Sequence, residues 1–124
     1  MTTTVTTIWE TLKAALTAQT PPLRIAKDEP ETFEVTGTKP VMQGRQQVEG
    51  HDFASLVPKP KDVRLYFFPI YTHPDAFGPL SADLQKALKG KSCFHIKRLT
   101  PELEAEIQGM LRQGVAVYQA AGLV

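Results

Sequence analysis

The sequence predicts a single α+β domain spanning residues 1–124: a mostly antiparallel sheet of about five strands, with N- and C-terminal helices packed on one face. Three observations predict it. Apolar residues recur at helical spacing at both ends of the chain, and short alternating runs broken by Gly and Pro lie between them. Residues 63–70 form an apolar, aromatic-rich run of strand length. With 124 residues, 42% of them apolar and 22% charged, the chain has the composition of a globular domain with one core.

Val5, Ile8, Trp9, Leu12, Ala15 and Leu16 share one face of a first helix. Thr7 and Glu10 stand three apart, the spacing of a capping box. Pro21-Pro22 stops the helix, because proline lacks an amide donor and disfavours a helical residue before it. Leu23 and Ile25, then Phe33 and Val35, alternate with polar neighbours around Asp28-Glu29-Pro30-Glu31, which predicts an antiparallel hairpin. From 36 to 50 the pattern is broken by Gly37, Pro40, Gly44 and Gly50, so this stretch reads mostly as loop with room for one short strand.

Alternation resumes at 51–57, with Phe53 and Val57 on one side and Ala54 and Leu56 on the other. Pro58-Lys59-Pro60-Lys61-Asp62 is a stiff polar link into the strongest strand. There Val63, Leu65 and Phe67 occupy one face, and Tyr66, Phe68 and Ile70 the other. A strand apolar on both sides belongs inside a sheet, and any face left uncovered is a sticky surface. Residues 71–80 read as loop. Ser81 caps a short helix that turns Leu84, Ala87 and Leu88 inward and stops at Gly90. Residues 93–97 return as a strand. Thr100 caps the last helix, Pro101 takes its first position, and Leu103, Ile107, Met110, Leu111, Val117 and Tyr118 form its buried stripe up to Gly122.

A net charge of +1 argues against a dedicated nucleic-acid binder, while leaving room for a local basic patch that holds an anion. No segment approaches the roughly 20 consecutive apolar residues that a membrane span requires. Cys93 is the lone cysteine, which excludes an internal disulfide and fits a reducing compartment. The first residues lack the basic-then-apolar pattern of a secretory signal, so a cytoplasmic location is the expectation.

Four groups of residues bear chemistry. Gly90-Lys91-Ser92 is not a phosphate loop: Gln85 stands where the leading glycine is needed, and a helix precedes where a strand should. What remains is a cation cluster of Lys86, Lys89, Lys91, Lys97 and Arg98, which is either a solvated face or an anion site. Cys93 and His95 are two apart on a strand and share a face, where an imidazole can stabilise a thiolate. No third orienting group accompanies them, so the catalytic constellation is incomplete and a non-catalytic role is expected. Tyr66 and Tyr71 carry hydroxyls that need partners if buried, and either packs in the core or lines a pocket. The ligand-binding candidates are thus Tyr66, Tyr71, Lys91, Cys93, His95 and Lys97. The metal candidates are His51, His73, Asp75, Glu31 and Glu34, whose nitrogen and oxygen donors suit iron or zinc, although no tight ligand spacing links them. Solvation is the readier explanation of those side chains, and the macrodipole explains Glu102 and Glu104.

Three segments carry a family resemblance: Phe33-Glu34-Val35-Thr36-Gly37-Thr38-Lys39-Pro40, the aromatic strand Val63-Arg64-Leu65-Tyr66-Phe67-Phe68-Pro69-Ile70-Tyr71, and Gly90-Lys91-Ser92-Cys93-Phe94-His95-Ile96-Lys97. Together they resemble the YdhG-like family of small bacterial proteins, in the same order and over most of the chain. The resemblance implies a frataxin-like α+β shape. It also implies a role among intracellular iron chaperones, which deliver iron for cluster or haem assembly. No iron-binding residue carries over position by position, and the first helix offers Glu10 as its acid. Three functions stay open. One is an iron-handling binding module using exposed acids with His73 or His51. The alternative is a small-molecule or anion-binding domain using Lys91, Lys97, Arg98 and the aromatic face around Tyr66. The last is an enzyme built on Cys93 and His95. The expected assembly is a monomer or a homodimer.

Overall fold

A computed structural model describes residues 4–43, 45–48 and 50–124. Gly44, read above as a chain breaker, and the leading residues 1–3 lie outside the described residues. The first helix, α1 (Val5–Thr17), buries Ile8, Leu12 and Leu16, with Val5, Trp9 and Ala15 at the margin of the same stripe. Its cap differs from the Thr7–Glu10 expectation. Thr4 is extended, and its Oγ1 accepts the Thr7 amide at 3.1 Å, so the helix starts three residues earlier. A run of threonines offers several hydroxyls in succession, and the one that precedes the first apolar residue of the stripe wins.

After Pro21-Pro22 come β1 (Arg24–Glu29) and β2 (Thr32–Thr36), the expected antiparallel hairpin, with a register shift between Ile25 and Lys27. Residues 36–50 hold more structure than expected: β3 (Val41–Gln43) and β4 (Gln46–Val48) pair as a separate two-stranded hairpin. Three-residue strands rich in Gln give almost no alternation to read, which is why the sequence pattern points to loop.

The main sheet has the order β1-β2-β5-β6-β7, with every neighbouring pair antiparallel. In β5 (Asp52–Pro58), Ala54 and Leu56 are buried and Val57 is half-buried, as alternation predicts. Phe53 breaks the rule. Val35 pairs with Ala54 but Thr36 pairs with Asp52, so Phe53 is an extra residue that turns into the core beside Ala54.

The aromatic strand β6 (Val63–Phe67) is an interior strand between β5 and β7 (Cys93–Ile96), as expected, but it ends before Pro69. The Phe68 amide donates to the Phe53 carbonyl, and Pro69, which has no amide to offer, instead opens a short helix, α2 (Pro69–Thr72). Phe68 and Ile70 therefore do not extend the Tyr66 face of the strand. Val63, Leu65 and Phe67 point inward with Leu56, Phe94 and Ile96. Both α1 and the last helix, α4 (Pro101–Ala120), pack on that inward face. Thr100 caps α4 by accepting the Leu103 amide at 3.1 Å, and Gly122 follows it with φ +75°, the left-handed conformation that suits glycine.

The sheet ends differently at its two sides. All six residues of β1 are exposed, whereas β7 is flanked by the turn after α3 (Ala82–Ala87), where Leu88 bridges to Phe94. Within the core Gly114 lies where α4 crosses the aromatic cluster. A Cβ there would meet Phe67 Cζ at 2.8 Å and Phe53 Cζ at 3.0 Å. Gly109, on the same helix, would meet only the tip of Arg112 at 3.8 Å. One substitution therefore has opposite effects at two sites. Gly109→Ala should gain up to about 1 kcal/mol from helix propensity. Gly114→Ala should lose more than that gain through overpacking that costs about 1–3 kcal/mol. Denaturant melts of the two variants check the signs.

Candidate functional site

Antiparallel pairing sends the outward-facing residues of β5, β6 and β7 onto a sheet face that neither α1 nor α4 covers. Glu34, Ser55, Tyr66 and Cys93 form one cross-strand row, and Val57, Arg64 and His95 form the next. Within the first row Tyr66 and Cys93 are direct cross-strand partners. Burial, and then the neighbouring Cys93, raise the Tyr66 hydroxyl above its ordinary range, so it is a neutral donor at physiological pH.

The second row is organised by Asp62, which precedes β6 and is only 6% exposed. Its Oδ1 accepts from Arg64 Nε at 3.1 Å, and its Oδ2 lies 3.9 Å from His95 Nδ1. A buried carboxylate is costly unless paired, and this one is. Burial and then Arg64 hold His95 below its ordinary value, Asp62 opposes them, and Lys89 and Lys97 add to the depression. His95 is therefore a neutral imidazole at neutral pH, ringed by cations.

His95 also faces a cleft of about 260 Å³ along the outer edge of β7. One wall is α3 and its following turn, which supply Lys86 and Lys89; the other is the chain leaving β7, which supplies Lys97 and Arg98. Ala87, Ile96 and Leu103 line its apolar part, and Asp83 is the one carboxylate among its described lining residues. Local chemistry sets this geometry. Ser81 Oγ caps α3 by accepting the Leu84 amide at 3.2 Å. The same Ser81 is clamped to α4, donating its amide to Glu106 Oε2 (2.9 Å) and its hydroxyl to Glu106 Oε1 (2.5 Å). After α3 the Lys89 amide donates to the Cys93 carbonyl at 2.8 Å, and Gly90 at φ +98° reverses the chain into β7. Both ends of the α3 segment are thus tied down, so its backbone is held as one wall of the cleft, across from Lys97 and Arg98.

The ligand-binding candidates divide into three places. Tyr66, Cys93 and His95 share the open face of the sheet, and His95 and Lys97 line the cleft. Lys91 is elsewhere: its Nζ sits 5.3 Å from the ring centre of Tyr71, itself 53% exposed, in a cation–π contact. Four of the five clustered cations therefore gather at the cleft, and Lys91 does not. His51 and His73 flank the ring of buried Tyr118, with centroids 5.5 and 6.3 Å away. The Tyr118 hydroxyl donates to the Asp52 carbonyl at 2.5 Å and lies 3.0 Å from His51 Nδ1. Burial raises Tyr118 well above the ordinary phenol range; the neighbouring Thr72 opposes the shift and the Asp52 charge adds to it. Glu31 is exposed in the β1–β2 turn, Glu34 lies on the open face opposite Ser55, and Asp75 is exposed in a 3-10 turn (Pro74–Ala76). Among the described residues, no three His, Cys, Asp or Glu side chains converge closely enough to hold a metal ion. None of the described helices is long and apolar enough to cross a membrane.

Sequence reading passed over Asp62, Arg64, Asp83 and the anchoring role of Glu106. Asp62 and Arg64 are two apart at a strand start, the same-face spacing that signals a pair. The Ser81–Glu106 clamp spans 25 positions, and no local pattern announces it.

Scans against protein-family models, curated proteins and solved structures return no match to this chain.

The charges around His95 fix how it should titrate. Asp62→Asn should lower its midpoint further and Arg64→Gln should raise it, as read from imidazole proton shifts in NMR titrations. Because the folded value lies below the unfolded 6.5, the unfolded chain binds the proton first. Stability should be fully present above pH 6.5 and fall as pH drops below it, and His95→Gln should flatten that slope in melts at stepped pH.

Proposed function

We propose that this domain is a non-catalytic binding module that holds the anionic group of a small ligand in the basic cleft beside β7. The observation that carries the reading is the charge layout. Lys86, Lys89, Lys97 and Arg98 surround one cleft against Asp83, the one carboxylate among its described lining residues. Like charges repel when crowded, so four cations gathered at one cleft are stabilised by an anion between them. The clamp of Ser81 to Glu106 supports the reading further, since a wall held in place before binding lowers the ordering cost of association.

The iron-handling role implied by the YdhG-like resemblance rests on that resemblance. Its candidate donors are dispersed: Glu31 and Glu34 lie on the β1–β2 hairpin, while His51 and His73 attend Tyr118. For the enzyme reading, Cys93 stands opposite Tyr66 across the strands, and His95 is aligned with Asp62 on the adjacent row. Neither arrangement supplies a set of groups aimed at one reacting atom.

Inorganic phosphate tests the anion reading directly. At ten times its dissociation constant, bound phosphate should stabilise the fold by about 1.4 kcal/mol, a rise of a few degrees in Tm. The double variant Lys97→Ala/Arg98→Ala should lose that rise. Lys91→Ala should keep it, because Lys91 stacks on Tyr71 outside the cleft. Thermal shift at low ionic strength reads all three, and equal shifts in every variant would dismiss the cleft as the site.

A further inference from the structure

Resting on the anion reading, we infer that the ligand is an amphiphilic anion: a phosphate monoester carrying a short apolar body. Two features of the cleft lead there. The first is segregation. The cationic residues Lys86, Lys89, Lys97 and Arg98 are all exposed, whereas Ile96 and Leu103 are buried and Ala87 is half-buried. The site is therefore a charged rim over an apolar floor. An inorganic anion satisfies the rim and makes no use of the floor, and a neutral apolar molecule does the reverse. Only a ligand with both parts uses both surfaces.

Size is the second feature. A cleft of about 260 Å³ holds several times the ~30 Å³ share of one water, so a tetrahedral anion at the rim leaves space beneath it. Apolar ligand surface placed there is removed from water against Ile96 and Leu103, which is favourable in proportion to area. Charge selects the head. Four cations approach from two walls, and a dianionic phosphate monoester answers more of that charge than a carboxylate does. Neutral His95, in the same wall, adds a hydrogen-bonding nitrogen without adding repulsion toward the lysines.

The test is calorimetric titration of the intact protein with inorganic, methyl, propyl and hexyl phosphate, and with hexanoate and hexanol. Affinity should rise along the phosphate series by up to about fourfold per added methylene until the floor is filled. Hexyl phosphate should bind more tightly than hexanoate, and hexanol should not bind. Ala87→Leu, which keeps a strong helix former while filling the floor, should flatten the dependence of affinity on chain length. A flat series in the wild-type protein would overturn this inference while the anion reading stands. Hexanoate binding as tightly as hexyl phosphate would overturn the choice of a dianionic head. No binding of any phosphate, or hexanol binding as tightly as hexyl phosphate, would overturn the anion reading itself.

Discussion

The pairing of β6 with β5 on one side and β7 on the other is the constraint from which both the core and the site descend. Its register places Leu56, Leu65 and Phe94 side by side on the inner face. Because side chains alternate, the same register must place Arg64 beside His95 and Tyr66 beside Cys93 on the outer face. A slip of one residue would turn Arg64 and Tyr66 into the aromatic core and expel Val63, Leu65 and Phe67. The apolar face therefore enforces the polar one. Burial of Val63 and Leu65 is what keeps Asp62, Arg64 and His95 within reach of each other.

The cleft beside β7 shows how distant parts of a short chain are made to cooperate. Its cations come from the end of α3 and from the link between β7 and α4, elements too short or too exposed to hold position by packing. Position comes from polar ties instead. Glu106, in the second turn of α4, accepts both polar hydrogens of Ser81, and the Lys89 amide joins the outer edge of β7. A carboxylate that accepts two donors at once loses torsional freedom, and so does the helix it anchors. Glu106 thus matters to the cleft without lining it.

Much of the architecture was legible because its signals are periodic. The stripe of α4, the Ser81 and Thr100 caps and the alternation of β2 and β6 are local patterns, and each stands where the pattern puts it. Misreadings arose where a nonlocal or competing factor decided. The inward turn of Phe53 follows from a bulge, which depends on the partner strand. The early end of β6 follows from Pro69, whose missing amide outweighs the apolar run that continues to Ile70. Of the site, the cation cluster was legible as composition, but its division was not. Lys91 and Lys97 look equivalent in the chain, yet the left-handed turn at Gly90 puts one against Tyr71 and the other at the cleft.

The two margins of the sheet have unlike chemistry, and this bears on how the protein behaves when crowded. At β7 the outward backbone groups are engaged by the chain itself, through the Lys89 amide and the Leu88 bridge. At β1 no such tie is seen among the described residues, but the strand carries Arg24, Lys27, Asp28 and Glu29 and a register break after Ile25. Desolvating that many charges opposes the docking of another ribbon, and the irregularity spoils the straight template that fibril growth needs. Resistance to edge-to-edge pairing is thereby written into a strand all of whose residues are exposed.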